Sequence, residues 1–144
     1  MKPKDLNWIG GIKRFCLSIT KKKRLRFILI ADKDILKSNR LECIKIGVSK
    51  NVAKTIRKMC AKYPDKYIKE ILSAYVENPE TVKDILVNEF KDRVVKPEWF
   101  KITPEDIIVA LRKNNIKLHH PIYCSTYIGT DDLARNGLLP TNRG

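Results

Sequence analysis

Residues 45–51 of this chain read KIGVSKN, a stretch that predicts the end of a strand and the start of a helix. Residues 42–49 alternate apolar and polar side chains, which is the pattern of a strand with one buried face. Asn51 is a favourable N-cap, and we predict a helix that runs from it to about Lys62. The apolar stripe of this helix is predicted to consist of Val52, Ile56, Met59 and Cys60.

Two further strands are predicted around this unit. A basic cluster at residues 21–26 leads into the apolar run 27–31, which is typical of a buried strand. Because the polar segment 32–41 separates this run from residues 42–49, the two strands are expected to form a hairpin. Residues 69–77 are rich in β-branched and aromatic side chains and predict a third strand.

Two later helices carry the same start signal, a capping residue followed by proline and an acid. Residues 78–80, NPE, predict a helix whose inward side chains are Val82, Ile85, Leu86 and Phe90. Residues 103–106, TPED, predict another helix that ends at about Arg112. Between the two helices, residues 98–102 predict a short strand.

The order of these elements predicts the fold class and the domain organisation. We expect an α/β (α+β) fold with a small, mainly antiparallel sheet flanked by helices. The domain itself is predicted at residues 21–115, with an N-terminal arm at 1–20 and a C-terminal extension at 116–144. Within that extension, residues 121–128 are expected to lie on the sheet edge and residues 131–135 to form one helical turn.

The composition indicates a globular protein with a polyanionic partner. With 43% hydrophobic and 32% charged residues in a chain of 144, disorder and membrane insertion are both disfavoured. The 30 basic and 16 acidic side chains leave a net charge of +14. Such an excess of positive charge destabilises the folded state through repulsion, so a polyanionic partner is the simplest explanation for it. Nucleic acid is favoured as this partner; the alternatives are an anionic lipid surface and a charge that only keeps the protein soluble.

The cysteines indicate a reducing compartment. They stand at positions 16, 43, 60 and 124 without a C-x-x-C pair, so free thiols are expected. His119 and His120 with Cys124 do not predict zinc, because adjacent imidazoles diverge and no second cysteine has ligand spacing. The apolar run 27–31 is too short to span a bilayer, and no secretory signal is evident. We therefore expect a protein that is intracellular or lies inside a particle, is not secreted and has no membrane partner.

Three features in this order resemble a known superfamily: KIG-x-S-x-N at residues 45–51, the capped helix after it, and EWF at residues 98–100. They are similar to the GIY-YIG superfamily, in its branch of phage and large-virus DNA-binding domains related to the meiotically up-regulated gene family. The resemblance covers about residues 24–102. It implies a GIY-YIG-like fold, binding of DNA, and a phage, large-DNA-virus or mobile-element setting. In that setting the protein would lie in the cytoplasm or nucleus of the host or in the interior of a virion.

The resemblance also implies where a nuclease would carry its catalytic groups. Active members use a tyrosine on each hairpin strand, an arginine on the first helix and a metal-binding glutamate on the second. Here residues 25–31 hold no tyrosine, and the other positions carry Lys45, Thr55 and Lys83. Lys83 opposes metal binding, because its charge stands where the cation would be. We therefore predict a catalytically inactive fold and not an enzyme, with no catalytic residue, no metal and no cofactor.

Neighbouring groups are not expected to restore catalysis. Arg57 lies about 200° around the helix axis from Thr55, and Glu80 lies about 4.5 Å along the axis from Lys83. Residues 127–129 spell the second family motif, Tyr-Ile-Gly, but they follow the EWF strand. We interpret that match as a coincidence.

Because no catalytic group is predicted, we expect the domain to bind nucleic acid without cleaving it, through basic side chains on the hairpin and on the first two helices. DNA is favoured over RNA, with contacts to backbone phosphates and little sequence readout. Two alternatives stay open: a divergent metal-dependent GIY-YIG-type endonuclease, and a viral structural or protein-interaction module that docks a protein partner through its terminal arms. The predicted nucleic-acid contacts are Lys21, Lys22, Lys23, Arg24, Arg26, Lys45, Lys50, Lys54, Arg57, Lys58, Lys62 and Lys83.

Overall fold

The structure, a computed structural model, describes residues 22–34, 36 and 42–139. The predicted N-terminal arm, the candidate contact Lys21 and most of the predicted loop 32–41 lie outside these residues. Six strands, four α-helices and a short 3₁₀ turn follow one another in the described part of the chain. In chain order they are β1 (Arg24–Asp32), β2 (Glu42–Ser49), α1 (Val52–Lys62), β3 (Lys66–Tyr75), α2 (Pro79–Glu89), the 3₁₀ turn (Lys91–Arg93), β4 (Val94–Lys96), β5 (Trp99–Phe100), α3 (Pro104–Lys113), β6 (His119–Tyr123) and α4 (Thr130–Arg135).

The strands form one sheet in the order β4-β5-β2-β1-β3-β6, and every neighbouring pair is antiparallel. The predicted hairpin is confirmed, because β1 and β2 pair along their length from Arg24 opposite Ser49 to Ala31 opposite Glu42. The predicted fold class, an α+β domain with a mainly antiparallel sheet and flanking helices, is confirmed.

The central strand β1 is buried on both faces, which explains its continuous apolar run. Successive side chains of a strand point to opposite faces. Leu25 and Phe27 belong to the larger core cluster, which also contains Leu86 of α2. Ile28 and Ile30 belong to a smaller cluster on the other face, with Met59 of α1. The sheet is therefore covered on both sides, with α1 on one side and α2 and α3 on the other.

Two of the three predicted N-caps form the expected bonds. The Asn51 side chain accepts a hydrogen bond from the backbone N–H of Lys54 at 3.0 Å. Thr103 and Asp106 form a reciprocal capping box at the start of α3. The predicted side-chain cap at Asn78 is wrong, because this residue is in the left-handed region at φ 53° and makes no such bond. Pro79 nevertheless occupies the first turn of α2, as predicted.

Several predicted boundaries and burials are corrected. The third strand begins at Lys66 and ends at Tyr75, a shift toward the N-terminus of the predicted 69–77. Cys60 and Ile85, both predicted to face inward, are exposed because each lies at the margin of its helix's apolar stripe. Strand β4 was not predicted. Its three residues are all exposed, so the sequence does not show the alternation of apolar and polar residues that a half-buried strand would have.

Residues 116–139 share the core of the preceding elements. Strand β6 pairs with β3, and α4 follows it, close to the predicted positions of the edge segment and the helical turn. The buried side chains of this segment in the larger core cluster are Ile116, Leu118, Ile128, Leu133 and Leu138. The proposed domain boundaries remain a prediction, but these residues are integrated with the sheet. Within the residues described, no helix is long and apolar enough to cross a membrane.

Candidate nucleic-acid interface

Gly47 of the KIG motif lies under the side chain of Arg26. The two residues face each other across the β1–β2 ladder. A Cβ atom at position 47 would lie 2.4 Å from the Arg26 guanidinium nitrogens, closer than van der Waals contact allows. The glycine therefore makes room for a cation on the sheet. Arg26 was predicted, as part of the basic cluster at residues 21–26, to contact phosphate; its side chain is 6% exposed and lies on the sheet.

Arg26 is held by the polar side chains that follow the KIG motif. Its Nε donates a hydrogen bond to Ser49 Oγ at 2.8 Å, and Thr55 Oγ1 lies 3.0 Å from the same Ser49 oxygen. Among the residues that the structure describes, the buried Nη1 of Arg26 has no hydrogen-bond partner. Burial lowers the pKa of Arg26, and the nearby Glu98 carboxylate acts in the opposite direction. A positioned guanidinium thus keeps an unused donor, and Ser49, which was not a predicted site residue, orients it.

Lys45 and Lys83 meet at one carboxylate. Lys45 Nζ on β2 lies 3.1 Å from Glu98 Oε1, and Lys83 Nζ on α2 lies 2.5 Å from Glu98 Oε2. All three side chains are partly buried. The sequence predicted both lysines as phosphate contacts but did not single out Glu98. We call Arg26, Lys45, Lys83 and Glu98 the Glu98 cluster.

Glu98 is held in an uncommon backbone conformation. Lys96 and Trp99 pair across the β4–β5 hairpin, so Pro97 and Glu98 form its two-residue turn. Glu98 has φ 70°, a left-handed value that favours glycine or asparagine at the second central position of such a turn. Its carbonyl accepts a hydrogen bond from the Ile46 N–H at 3.0 Å, which ties the turn to the KIG strand. The two ion pairs and this bond hold a non-glycine residue at that position.

The electrostatics of the Glu98 cluster favour an anion. Partial burial raises the pKa of Glu98, but hydrogen bonds and attraction from Lys83 and Lys45 outweigh it and hold the pKa below its ordinary value. Glu98 is therefore ionised at neutral pH. Two ammonium groups then pair with one carboxylate, and Arg26 attracts it from farther away, so the four side chains together have a formal charge of +2.

Helix α1 extends the positive surface. Lys54, Lys58 and Lys62 recur every four residues and lie on one exposed face. Lys50 precedes the helix, and Arg57 lies beside this row; both are also exposed. No carboxylate forms an ion pair with any of these five side chains within residues 22–34, 36 and 42–139. Their charges are therefore available to a partner.

The model of one protein family, the T5orf172 domain, matches residues 27–115, which is more than half of the chain. The chain belongs to this family. The T5orf172 domain is a phage-orf-type domain associated with the GIY-YIG nuclease-related superfamily, which agrees with the coarser part of the predicted resemblance. No curated protein and no solved structure matches the chain.

The basic start of β1 in this T5orf172 domain is mostly engaged with the protein. Lys23 forms an ion pair with Glu80 at 2.8 Å, and hydrogen bonding to Lys23 lowers the pKa of Glu80. Arg24 donates to the Ser73 and His120 carbonyls at 3.0 and 2.6 Å. Lys22 is exposed. Because Arg24 pairs with Ser49, these residues lie at the sheet end where α1 begins.

The Tyr-Ile-Gly match at residues 127–129, the potential metal ligands and the cysteines were also considered in the sequence. Ile128, from the Tyr-Ile-Gly match, is buried in the larger core and follows β6, so the match does not lie on a strand of the hairpin. No cluster of three or more His, Cys, Asp or Glu side chains suited to a metal ion occurs among the residues that the structure describes. Cys43, Cys60 and Cys124 are free thiols.

Proposed function

We propose that this T5orf172 domain binds DNA through backbone phosphates and does not cleave it. The observation that carries the proposal is the Glu98 cluster, in which Lys45 and Lys83 stand at positions where the resemblance expects a tyrosine and a metal-binding glutamate. A phosphate oxygen beside this cluster would meet the ammonium groups of Lys45 and Lys83, and the buried Arg26 guanidinium beneath them would add to the positive potential. The family match supports a nucleic-acid-related role for the domain.

The exposed row on α1 supports a phosphate surface wider than the cluster itself. Lys54, Lys58 and Lys62 have no ion-pair partner within the described residues, so each is available to displace a counterion from DNA. These are point charges on flexible stems, which neutralise phosphates without reading base edges. We therefore expect similar affinity for duplexes of unrelated sequence.

The same cluster argues against phosphodiester cleavage. Cleavage requires an activated water and a cation that offsets charge on the phosphate, commonly a divalent ion held by carboxylates. The carboxylate in the cluster, Glu98, is already paired with two lysines. Thr55, at the position where the resemblance expects arginine, lies against Ser49 and carries no charge. The proposed role is thus binding, inside a host cell or a virion where DNA is present.

Salt dependence tests the phosphate surface. A fluorescent duplex is titrated at several salt concentrations with the full chain and with a Lys54→Ala/Lys58→Ala/Lys62→Ala variant. Removal of one phosphate-binding lysine should reduce the log–log salt slope by about 0.9, so this variant should reduce it by up to about 2.7. A matched control removes the same charge from exposed positions away from α1, through Lys91→Ala/Arg112→Ala/Lys117→Ala. Equal reductions in both variants would contradict a localised surface.

Cleavage is tested separately. Plasmid and branched DNA are incubated with the protein and magnesium or manganese, and the products are separated on a gel. We expect no cleavage. Metal-dependent cutting that disappears in Glu80→Ala or Glu98→Ala would replace the proposal with the endonuclease alternative. Retention on a protein partner without any affinity for DNA would replace it with the interaction-module alternative.

A further inference from the structure

A cavity separate from the Glu98 cluster opens where the end of β3 meets the start of β6 and the start of α2. Its volume is about 690 Å³. Tyr75, His119 and His120 line it, together with Lys22, Lys23 and Glu77. This size falls in the range of pockets that enclose small organic ligands, about 300–1,000 Å³. The cavity thus combines aromatic rings and ammonium groups in one concave site.

The aromatic wall of the cavity is held in place by Arg24. The Arg24 guanidinium lies 4.4 Å from the centroid of the Tyr75 ring and covers one face of it. The same guanidinium donates to the His120 carbonyl at 2.6 Å, and the His120 ring meets the Tyr75 ring edge-on at 6.4 Å. His120 has φ 51°, a left-handed conformation that costs free energy in a non-glycine residue. Arg24 thus fixes both rings before any ligand arrives.

The polar groups at the cavity suit a nucleotide. Lys22 and Lys23 supply positive charge for a phosphate, although Lys23 also pairs with Glu80. Glu77 supplies a carboxylate, which accepts hydrogen bonds from exocyclic amino groups of bases. Val76 and Pro79 complete an apolar wall. Aromatic side chains beside such a wall are the usual platform for an unstacked base.

The cavity is adjacent to the positive surface described above. Arg24 lies opposite Ser49 on β2, and Lys50 and helix α1 follow immediately. A nucleic-acid strand that contacts α1 and Lys50 would therefore reach the mouth of the cavity, at Lys22 and Lys23, within the same bound segment.

We propose that this cavity binds one unpaired nucleotide of the bound DNA, with its base against Tyr75 and His120 and its phosphate at Lys22 and Lys23. The inference rests on the proposed DNA binding and adds a preference for DNA with an unpaired nucleotide. A blunt duplex keeps its bases stacked inside the helix and cannot fill the cavity without breaking a base pair.

Two duplexes of the same sequence test the proposal, one blunt and one with a single unpaired 2-aminopurine nucleotide at its end. Stacking one base on aromatic side chains is worth about a 5- to 160-fold gain in affinity, so the second duplex should bind tighter by a factor in that range. The 2-aminopurine fluorescence should fall on binding, because stacking quenches it.

Three variants locate the effect. His120→Gly removes a ring at a left-handed position where glycine is favourable, and Tyr75→Leu keeps apolar bulk without an aromatic ring. Both should lose the gain and the quenching while keeping affinity for the blunt duplex. Tyr67→Leu removes a tyrosine at the opposite end of β3 and should keep both signals. Thermal unfolding checks that each variant folds.

The outcomes separate the two proposals. Binding of both duplexes with equal affinity, or equal loss of the gain in Tyr67→Leu, overturns the cavity proposal and leaves DNA binding intact. Failure of the full chain to bind either duplex overturns both. Retention of the gain in both His120→Gly and Tyr75→Leu also overturns the cavity proposal, because the unpaired nucleotide would then bind elsewhere.

Discussion

At the scale of single residues, Glu98 offsets part of the charge that Lys45 and Lys83 would present to DNA in the proposed binding. Glu98→Gln keeps the shape and removes the negative charge. We expect this variant to bind duplex DNA severalfold more tightly, with a salt slope steeper by up to about two if both lysines bind a phosphate. Fluorescence anisotropy at several salt concentrations measures both quantities. Weaker binding by Glu98→Gln would mean that the carboxylate positions the lysines for DNA.

The same residue predicts a dependence of stability on pH. The folded state lowers the pKa of Glu98 from its ordinary value of 4.5. Its ion pairs therefore stabilise the fold fully above pH 4.5, and this contribution disappears as the pH falls through the lower, folded-state pKa. Because Glu98 is partly exposed, the contribution is on the order of 1 kcal/mol at most. Urea unfolding of the wild type should lose this increment below pH 4.5, whereas Glu98→Gln should not.

Gly47 and Arg26 form a coupled pair. Gly47→Ala would place a methyl group 2.4 Å from the guanidinium, so we expect a loss of about 1–3 kcal/mol in the free energy of unfolding. In an Arg26→Ala background the same substitution should cost much less, since the colliding group is gone. Urea unfolding of the four proteins in this double-mutant cycle measures the coupling. Additive losses would show that Gly47 is required for another reason.

At the scale of elements, α1 and α2 begin with asparagines of different roles. Asn51 caps α1 through its side chain, so Asn51→Ala should cost about 1 kcal/mol of stability. Asn78 makes no cap bond and has φ 53°, so Asn78→Gly should be neutral or stabilise the fold by up to about 1 kcal/mol. Thermal unfolding compares the two. A larger loss in Asn78→Gly than in Asn51→Ala would contradict this assignment.

The two asparagines also mark how far local patterns predict elements. Asn51 and Thr103 were both predicted as caps and are caps, because the motif and its bond lie within one helical turn. Asn78 carries the same sequence signature, but its own backbone is left-handed where the chain passes from β3 into α2. This conformation depends on the position of β3, which the local pattern does not contain. Strand β4 forms against β5 with no buried side chain, so only pairing identifies it.

At the scale of the whole molecule, the family match ends at residue 115, whereas the core continues to Leu138. Deleting residues 116–144 would expose the edge of β3 and remove buried side chains such as Leu118 and Leu133. We expect the truncated protein to lose cooperative unfolding and to aggregate, as followed by circular dichroism and light scattering. The control Ile122→Ala, at a position that is 56% exposed, should cost little. A stable truncated protein would show that residues 1–115 fold without the C-terminal segment.

The sequence by itself determined the order of the main elements, the antiparallel hairpin, the family resemblance and the excess of positive charge. These follow from side-chain alternation, capping residues and composition, which act over a few neighbouring positions or over the chain as a whole. Only the tertiary structure decided that Lys45 and Lys83 share Glu98, from 53 and 15 residues away. It likewise decided that Arg26 lies over Gly47 and that Tyr75 meets His120 beside a cavity. Such contacts depend on strand register and on how distant segments pack, which no local pattern encodes.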